Sequence, residues 1–266
     1  MSVALRMALD RDPDAALGTI ATAGTALVVA LVAAAAETPA RGLHLSSAWP
    51  FLLAGLLSPG AAQIFVTVAI RESGSSRVSM IFGTAPLVSV TIALVFLNEP
   101  ASAPLIAGAV LIVAGGVLLA RERERPAHLN RLGLVFAFAG ATLFAIRDNL
   151  VRHLAVGSTS VPPAVAAAAA LLGGTGLIAV WARQGIGRRW IPFLPAGVFF
   201  GASYVCLFEA YYRGRVTVVA PLVAIESLVG VALSAVLLRE SELVGRRLVL
   251  AAALVVAGGA LIGAFR

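Results

Sequence analysis

The sequence predicts an all-α fold: a polytopic bundle of membrane helices built as two inverted five-helix repeats, with the first helix truncated. Three observations predict it. Hydrophobic residues make up 60% of the 266 residues and charged residues only 12%, about half the share usual in soluble domains. Mean hydropathy is +0.97. The apolar residues fall into runs of helix length separated by charge, Gly or Pro, and the two halves of the chain match at a fixed offset of 141 residues.

Taken in order, the apolar runs lie at 14–36, 48–70, 78–98, 103–120, 132–153, 161–182, 191–212, 216–238 and 246–264. A helix of about 20 apolar residues crosses the hydrocarbon core of a bilayer. The runs are too long and too little alternating for barrel strands. Only elements that satisfy their own backbone polar groups cross lipid, which leaves helices. RERERPAHLNR at 121–131 is the one clear linker, and it divides the chain into repeats at 1–120 and 132–266. The opening stretch MSVALRMALDRDPD lacks the leading apolar core of a cleavable signal peptide.

Charge and cysteine usage exclude other classes. All 20 basic residues are Arg, against 13 acidic residues, for a net charge of +7. The arginines stand mostly at the ends of apolar runs, where they anchor helices and set topology. The basic balance is therefore not that of a nucleic-acid binder, and no nucleic-acid partner is expected. Cys206, alone inside an apolar run, forms no internal disulfide or metal cluster. The Ala- and Arg-rich, Lys-free composition fits a GC-rich bacterial genome.

The repeat rests on residue types that rarely coincide by chance. Trp49 pairs with Trp190, Arg6 with Arg147, Arg11 with Arg152, Gly60-Ala61 with Gly201-Ala202 and Glu99 with Glu240. Only three Trp exist in the chain and two of them pair. The second repeat begins near Leu132, well ahead of Arg147, whereas only five residues precede Arg6. About ten residues of a first helix are thus expected to be missing, as a start-site effect or a shortened chain. With that helix restored each repeat has five helices. An odd number turns the second copy over, and inverted repeats are a signature of secondary transporters.

The stretches AWPFLLAGLL, AIRESGSSRVSMIFGTAPLVSVTIALVFLNEP and LIAGAVLIVAGGVLLA together resemble an EamA domain. So do FLPAGVFFGASYVCLFEAYYRG, APLVAIESLVGVALSAVLLRESE and LVVAGGALIGA. Two such domains in tandem resemble the drug/metabolite transporter superfamily. The resemblance implies ten helices around a central cavity, a small organic substrate and both termini in the cytoplasm. Ser227 departs from the pattern, which commonly has Pro there. The arginine tally implies a different orientation. Thirteen Arg, in the segments at 11, 71–77, 121–131, 183–189 and 239–247, fall on one side and five, at 41, 152, 213–215 and 266, on the other. That bias puts the carboxyl terminus outside.

An ionisable group inside a span is a functional candidate by default. Glu226, 11 residues from Arg215 and 13 from Arg239, sits near mid-membrane and is suited to carry a proton or bind a cationic group. Its structural alternative is a hydrogen-bonded Glu that locks helix packing. Arg147 falls inside its span beside Asp148 and Asn149. It is a candidate to bind a carboxylate or phosphate or to pair with Glu226; snorkelling is the alternative. Its mate Arg6 carries the same expectation if the first helix is whole. Gln63 and Tyr204, which are repeat mates, and Ser203 are candidate cavity hydrogen-bonders. Glu209 is a weaker candidate, because Arg213 follows at salt-bridge spacing. Pro86 and Pro221 are candidate hinges.

No catalytic constellation is expected. His44, His128 and His153 stand near loops or span ends, and a P-loop is impossible without Lys. No metal, cofactor or enzymatic activity is expected. The reading is a multi-pass plasma-membrane protein, a secondary transporter in the export direction for a small organic metabolite or drug. It works by alternating access, with proton coupling or exchange. The lipid bilayer and the solute are its partners, and a homodimer is a further option. A non-transporting membrane subunit or scaffold is the main alternative, and an integral membrane enzyme the lesser one.

Overall fold

The computed structural model describes residues 1–42, 45–96, 103–120, 131–157, 161–183, 188–223, 225–237 and 246–264. They form thirteen α-helices and no strand. The first half holds α1 (Ser2–Arg11), α2 (Ala15–Arg41), α3 (Trp49–Gly55), α4 (Ala62–Ser73), α5 (Ser75–Phe82), α6 (Ala85–Phe96) and α7 (Ala103–Ala120). The second holds α8 (Arg131–Gly157), α9 (Pro163–Ala182), α10 (Leu194–Arg213), α11 (Val216–Val223), α12 (Ile225–Leu237) and α13 (Arg246–Ala264). By length and composition, five stretches are fit to cross a membrane: Ala15–Arg41, Trp49–Ser73, Arg131–Gly157, Pro163–Ala182 and Arg189–Arg213. Large apolar side chains such as Val32, Ile106, Val135 and Phe199 stand exposed on their outer faces, the surface a bilayer covers. Glu99, Glu240, His44, His128 and nearly all of the 121–131 linker lie outside the described residues.

Two expected single spans prove to be interrupted, each near a proline. Between α3 and α4 the wide turn Leu56–Ala61 contains Ser58 in an extended conformation (φ −148°, ψ 118°), next to Pro59. A proline lacks the N–H that would bond the carbonyl four residues back, and its ring crowds that carbonyl. Pro86 acts in the same way one turn after Phe82. The helix stops there and restarts at Ala85, with Thr84 Oγ1 donating to the Ile81 carbonyl at 2.6 Å. In the second half α11 ends at Val223 and α12 starts at Ile225. Gly83 plus 141 is 224, which lies outside the described residues.

The helix contacts obey the same exchange. Helix α5 packs on α12 and its mate α11 on α6; α4 packs on α8 and α1 on α10; α2 faces α9, and α7 faces α13. The span broken at Gly83–Thr84 therefore packs against its own repeat mate. Close backbone approach makes this possible. A Cβ on Gly55 would lie 1.9 Å from the Ala170 carbonyl oxygen, and one on Gly173 would lie 2.1 Å from that of Leu52, so α3 and α9 touch backbone to backbone.

Polar contacts fix both ends of α2 to the second half. At its start Asp14 caps the helix, accepting from Ala16 N at 3.0 Å and Leu17 N at 3.1 Å. Asp12 pairs with Arg189 through two hydrogen bonds of 2.7 Å. At its end Glu37 accepts from Ala164 N at 2.8 Å, and Arg41 bridges Glu37 to Glu209.

Two predictions follow from these contacts. Gly173→Val drives a side chain into the α3 backbone. It should lower stability by at least the 1–3 kcal/mol of an overpacked core, read as a fall in melting temperature in detergent. The second concerns acid. The Arg189 hydrogen bonds hold the Asp12 carboxyl below its ordinary range. A carboxyl depressed in the folded state stabilises it above the unfolded value near 3.9, and that contribution is lost as pH falls through the lower folded value. Asp12→Asn should therefore weaken the protein at neutral pH and flatten the acid limb of its stability profile. An unchanged acid limb would remove this pair from the account.

Candidate functional site

The break at Gly83–Thr84 opens onto a cavity of about 470 Å3 between the repeats. It is walled by α5, α6, α8, α10, α11 and α12, with α1 and α4 at its margin. The walls are mostly apolar, with a few converging polar groups, the usual make-up of a small-molecule site.

Arg147 is the main charge in it. It stands 16 residues into α8 and 10 from that helix's end, about 15 Å of helix, and is 3% exposed. That is burial, not snorkelling. Its Nη2 lies 2.8 Å from Asp148 Oδ1. Its guanidinium stacks 4.7 Å from the Tyr204 ring centroid and 5.1 Å from that of Phe144, with Phe208 at 6.0 Å. Phe200, Tyr204 and Phe208 are four residues apart on α10 and form one aromatic stripe. Nε and Nη1 of Arg147 have no hydrogen-bond partner. A buried guanidinium with two open donors is costly, and an acceptor entering the cavity would relieve that cost.

The remaining candidates divide between the cavity and other places. Glu226, in the first turn of α12, lines the cavity. The ion pair of Arg147 is with Asp148 and not with Glu226, the partner that depth in the sequence offers. Adjacent residues on a helix point about 100° apart, and only the inward turn of α8 lets both reach the same space. Tyr204 lines the cavity, and its hydroxyl donates to the Ser58 carbonyl at 2.9 Å. Ser203 lines it while donating to Phe200 O at 2.9 Å. Pro86 forms part of the wall at the break. Gln63 is fully buried in α4 outside the cavity lining, with both amide atoms unpartnered. Glu209 also lies away from it, paired with Arg213 one turn on and with Arg41 at 3.3 Å. Pro221 falls within α11; its side chain lies outside the described ones.

Arg6 does not share the position of its mate. It donates to the carbonyls of Ile70 (3.3 Å) and Arg71 (3.1 Å) at the end of α4. In the second half Arg152 does this work, donating to Tyr211 O (3.0 Å) and Tyr212 O (3.3 Å) at the end of α10. Ile70 and Arg71 plus 141 are Tyr211 and Tyr212. The capped carbonyls are thus repeat mates, while the capping arginines are not. Residue pairing alone conceals that shift of one helical turn.

Sequence reasoning also missed the docking of α8 on α6. Asn149 Nδ2 donates to Ser89 O and to Ala145 O, each at 3.0 Å. Its adjacency to Arg147 was visible; its target on α6 was not.

The model of a family described as EamA-like transporter family matches residues 1–121 and 131–264. No curated protein matches. Twenty-two chains of solved structures match. One, described only as the crystal structure of a protein, superposes with a TM-score of 0.71 at 22% identity, covering 98% of this chain and 93% of its own. At that identity the likeness bears on fold alone.

The Arg147–Asp148 pair generates a test of its own. Arg147→Ala strands a buried carboxylate and should cost about 3–5 kcal/mol, measured by unfolding in detergent. The double change Arg147→Ala with Asp148→Ala should recover most of that. Equal losses in the single and double variants would show that the two do not act as a pair.

Proposed function

This chain belongs to the EamA-like transporter family, and from that premise we propose that it is a secondary transporter moving a small organic solute by alternating access. The repeats at 1–120 and 132–266 are its two moving halves, joined through 121–131. The observation that carries this reading is the meeting of the Gly83–Thr84 helix break, Arg147–Asp148 and Glu226 at one cavity between the halves. A broken helix at the interface of two repeats is where transporters place their sites.

The roles follow from chemistry. Arg147 receives an anionic or strongly accepting group of the solute, since Nε and Nη1 are open. The aromatic stripe keeps the guanidinium plane fixed, which preorganises it. Glu226 carries a proton or meets a cationic group from the opposite repeat. Tyr204 and Ser203 add hydrogen bonds, and Pro86 and Pro221 serve as hinges. Gln63, buried in α4, is a further hydrogen-bonder outside the cavity lining. Glu209 belongs to the ion-pair cluster that holds the end of α2. Export across the plasma membrane is the direction proposed, on the family likeness alone.

The test uses proteoliposomes enclosing a pH-sensitive dye, challenged with amino acids, sugar phosphates, nucleosides and quaternary amines. One class should drive proton movement through the wild type. Glu226→Gln should abolish that movement while solute exchange persists. Arg147→Lys should raise the KM for the same solute at least about tenfold, because an ammonium cannot reproduce the stacked fork. Identical proton movement in the wild type and Glu226→Gln would remove Glu226 from coupling.

A further inference from the structure

One flank of the cavity differs from its repeat mate. On α4 the residues Ala62, Phe65, Val66 and Ala69 lie under the first half of α8. Phe65 stacks on Phe136 with ring centroids 5.4 Å apart. A Cβ on Gly140 would lie 3.0 Å from Val66 Cγ2 and 3.5 Å from the Ala62 carbonyl oxygen. Val66 and Ala69 share a buried core cluster with Ala137. Adding 141 to these four positions gives Ser203, Cys206, Leu207 and Ala210 on α10. There the same face stays uncovered. Ser203 and Cys206 are exposed, Leu207 and Ala210 are half-buried, and all four line the cavity. Leu222 and Val223 of α11 line it too and are exposed. The cavity is therefore open along the flank between α10 and α11.

This opening lies at membrane depth. Ser203 and Ala210 belong to the stretch Arg189–Arg213, which is fit to cross a bilayer. They stand ten and three residues before Arg213, about 15 and 4.5 Å of helix. That interval matches one leaflet of a hydrocarbon core about 30 Å thick. The chemistry changes along it. At the deep end Ser203 adjoins Tyr204, whose ring lies 4.7 Å from the Arg147 guanidinium, and Nε and Nη1 of that guanidinium are open. The rest of the flank is Leu207, Ala210, Val219, Leu222 and Val223. The acids of the lining are Asp148 and Glu226. Asp148 is paired with Arg147, and Glu226 takes up a proton on the transporter reading.

We infer that the cavity opens sideways into the bilayer through a window between α10 and α11, and that its ligand is a single-chain anionic amphiphile, with a carboxylate or phosphate headgroup on Arg147 and its alkyl chain in the window. The open donors of Arg147 supply charge complementarity for the head. The apolar flank receives the chain, and burying each methylene away from water is favourable. The inference deepens the transporter reading, on which its purpose rests, by naming the class of solute.

Cys206 supplies the readout, since it is the one cysteine of the chain, exposed and in the window. In proteoliposomes a bilayer-dissolved pyrene maleimide should alkylate it at least about tenfold faster than a membrane-impermeant sulfonated maleimide added to either face. Submicellar decanoate should protect Cys206, and decyltrimethylammonium should not. From butyrate to octanoate the half-protective concentration should fall roughly tenfold for every two methylenes. Arg147→Lys should raise that concentration at least about tenfold. Should that variant fail to accumulate, Ala210→Phe, which fills the window, should remove the dependence on chain length. Faster labelling by the impermeant reagent, or a Cys206 that resists both reagents, overturns the window. Equal protection by butyrate and decanoate, or by the cationic and anionic amphiphiles, overturns the ligand assignment. Protection by decanoate without movement of labelled decanoate or any other solute would sink the transporter reading and leave the amphiphile site standing. Transport of a polar solute without protection by decanoate would sink this inference alone.

Discussion

Hydrocarbon offers a peptide group no hydrogen-bond partner, so a chain that crosses it keeps its backbone bonds inside the protein. That constraint decides where this chain is helical and where it is allowed to stop being so. The spans break only where protein or a cavity takes up what the break releases. At Ser58 the Tyr204 hydroxyl accepts the task, reaching from the other half to a carbonyl that leaves the α3–α4 ladder. At Gly83–Thr84 the Thr84 hydroxyl and the cavity share it. The cavity is thus tied to one of the helix breaks: Pro86, beside the Gly83–Thr84 interruption, forms part of its wall.

Charge follows the same rule with higher stakes. Arg6 and Arg152 spend their donors on carbonyls in the last turns of α4 and α10. Arg147 goes deep, compensated by Asp148 and by three aromatic rings. Apolar residues in place of the whole pair would hold the bundle as well or better. Its incomplete satisfaction is therefore a reason to assign it to solute binding rather than to architecture.

Duplication explains the frame, and divergence between mates explains the function. The helix contacts keep the exchange of halves almost intact. The residues at exchanged positions do not. Gln63 is a buried amide behind the wall, while its mate Tyr204 faces the cavity. Ala85 and Glu226 are mates that both line the cavity, and only one carries charge. Ser75 and Ser234 meet where α5 packs on α12, while their mates Val216 and Ala93 lie in an apolar core cluster.

Composition and run length determined the all-helical membrane architecture, because a chain this apolar has no other way to satisfy its backbone. The 141-residue offset determined the two-repeat plan, because Trp, Arg and Glu seldom coincide by chance. Glu209 with Arg213 was legible too, since four-residue spacing on a helix is a local property. Tertiary structure alone decided which side of α8 faces inward, and so made Asp148 rather than Glu226 the partner of Arg147. It alone set the one-turn shift that separates Arg6 from Arg147 in role, and the interruptions at Ser58–Pro59 and Gly83–Thr84. Periodicity in a sequence reports what each helix wants to bury. The rotation and approach of one helix against another depend on residues more than a hundred positions apart, such as Gly55 against Ala170, and no local pattern records them.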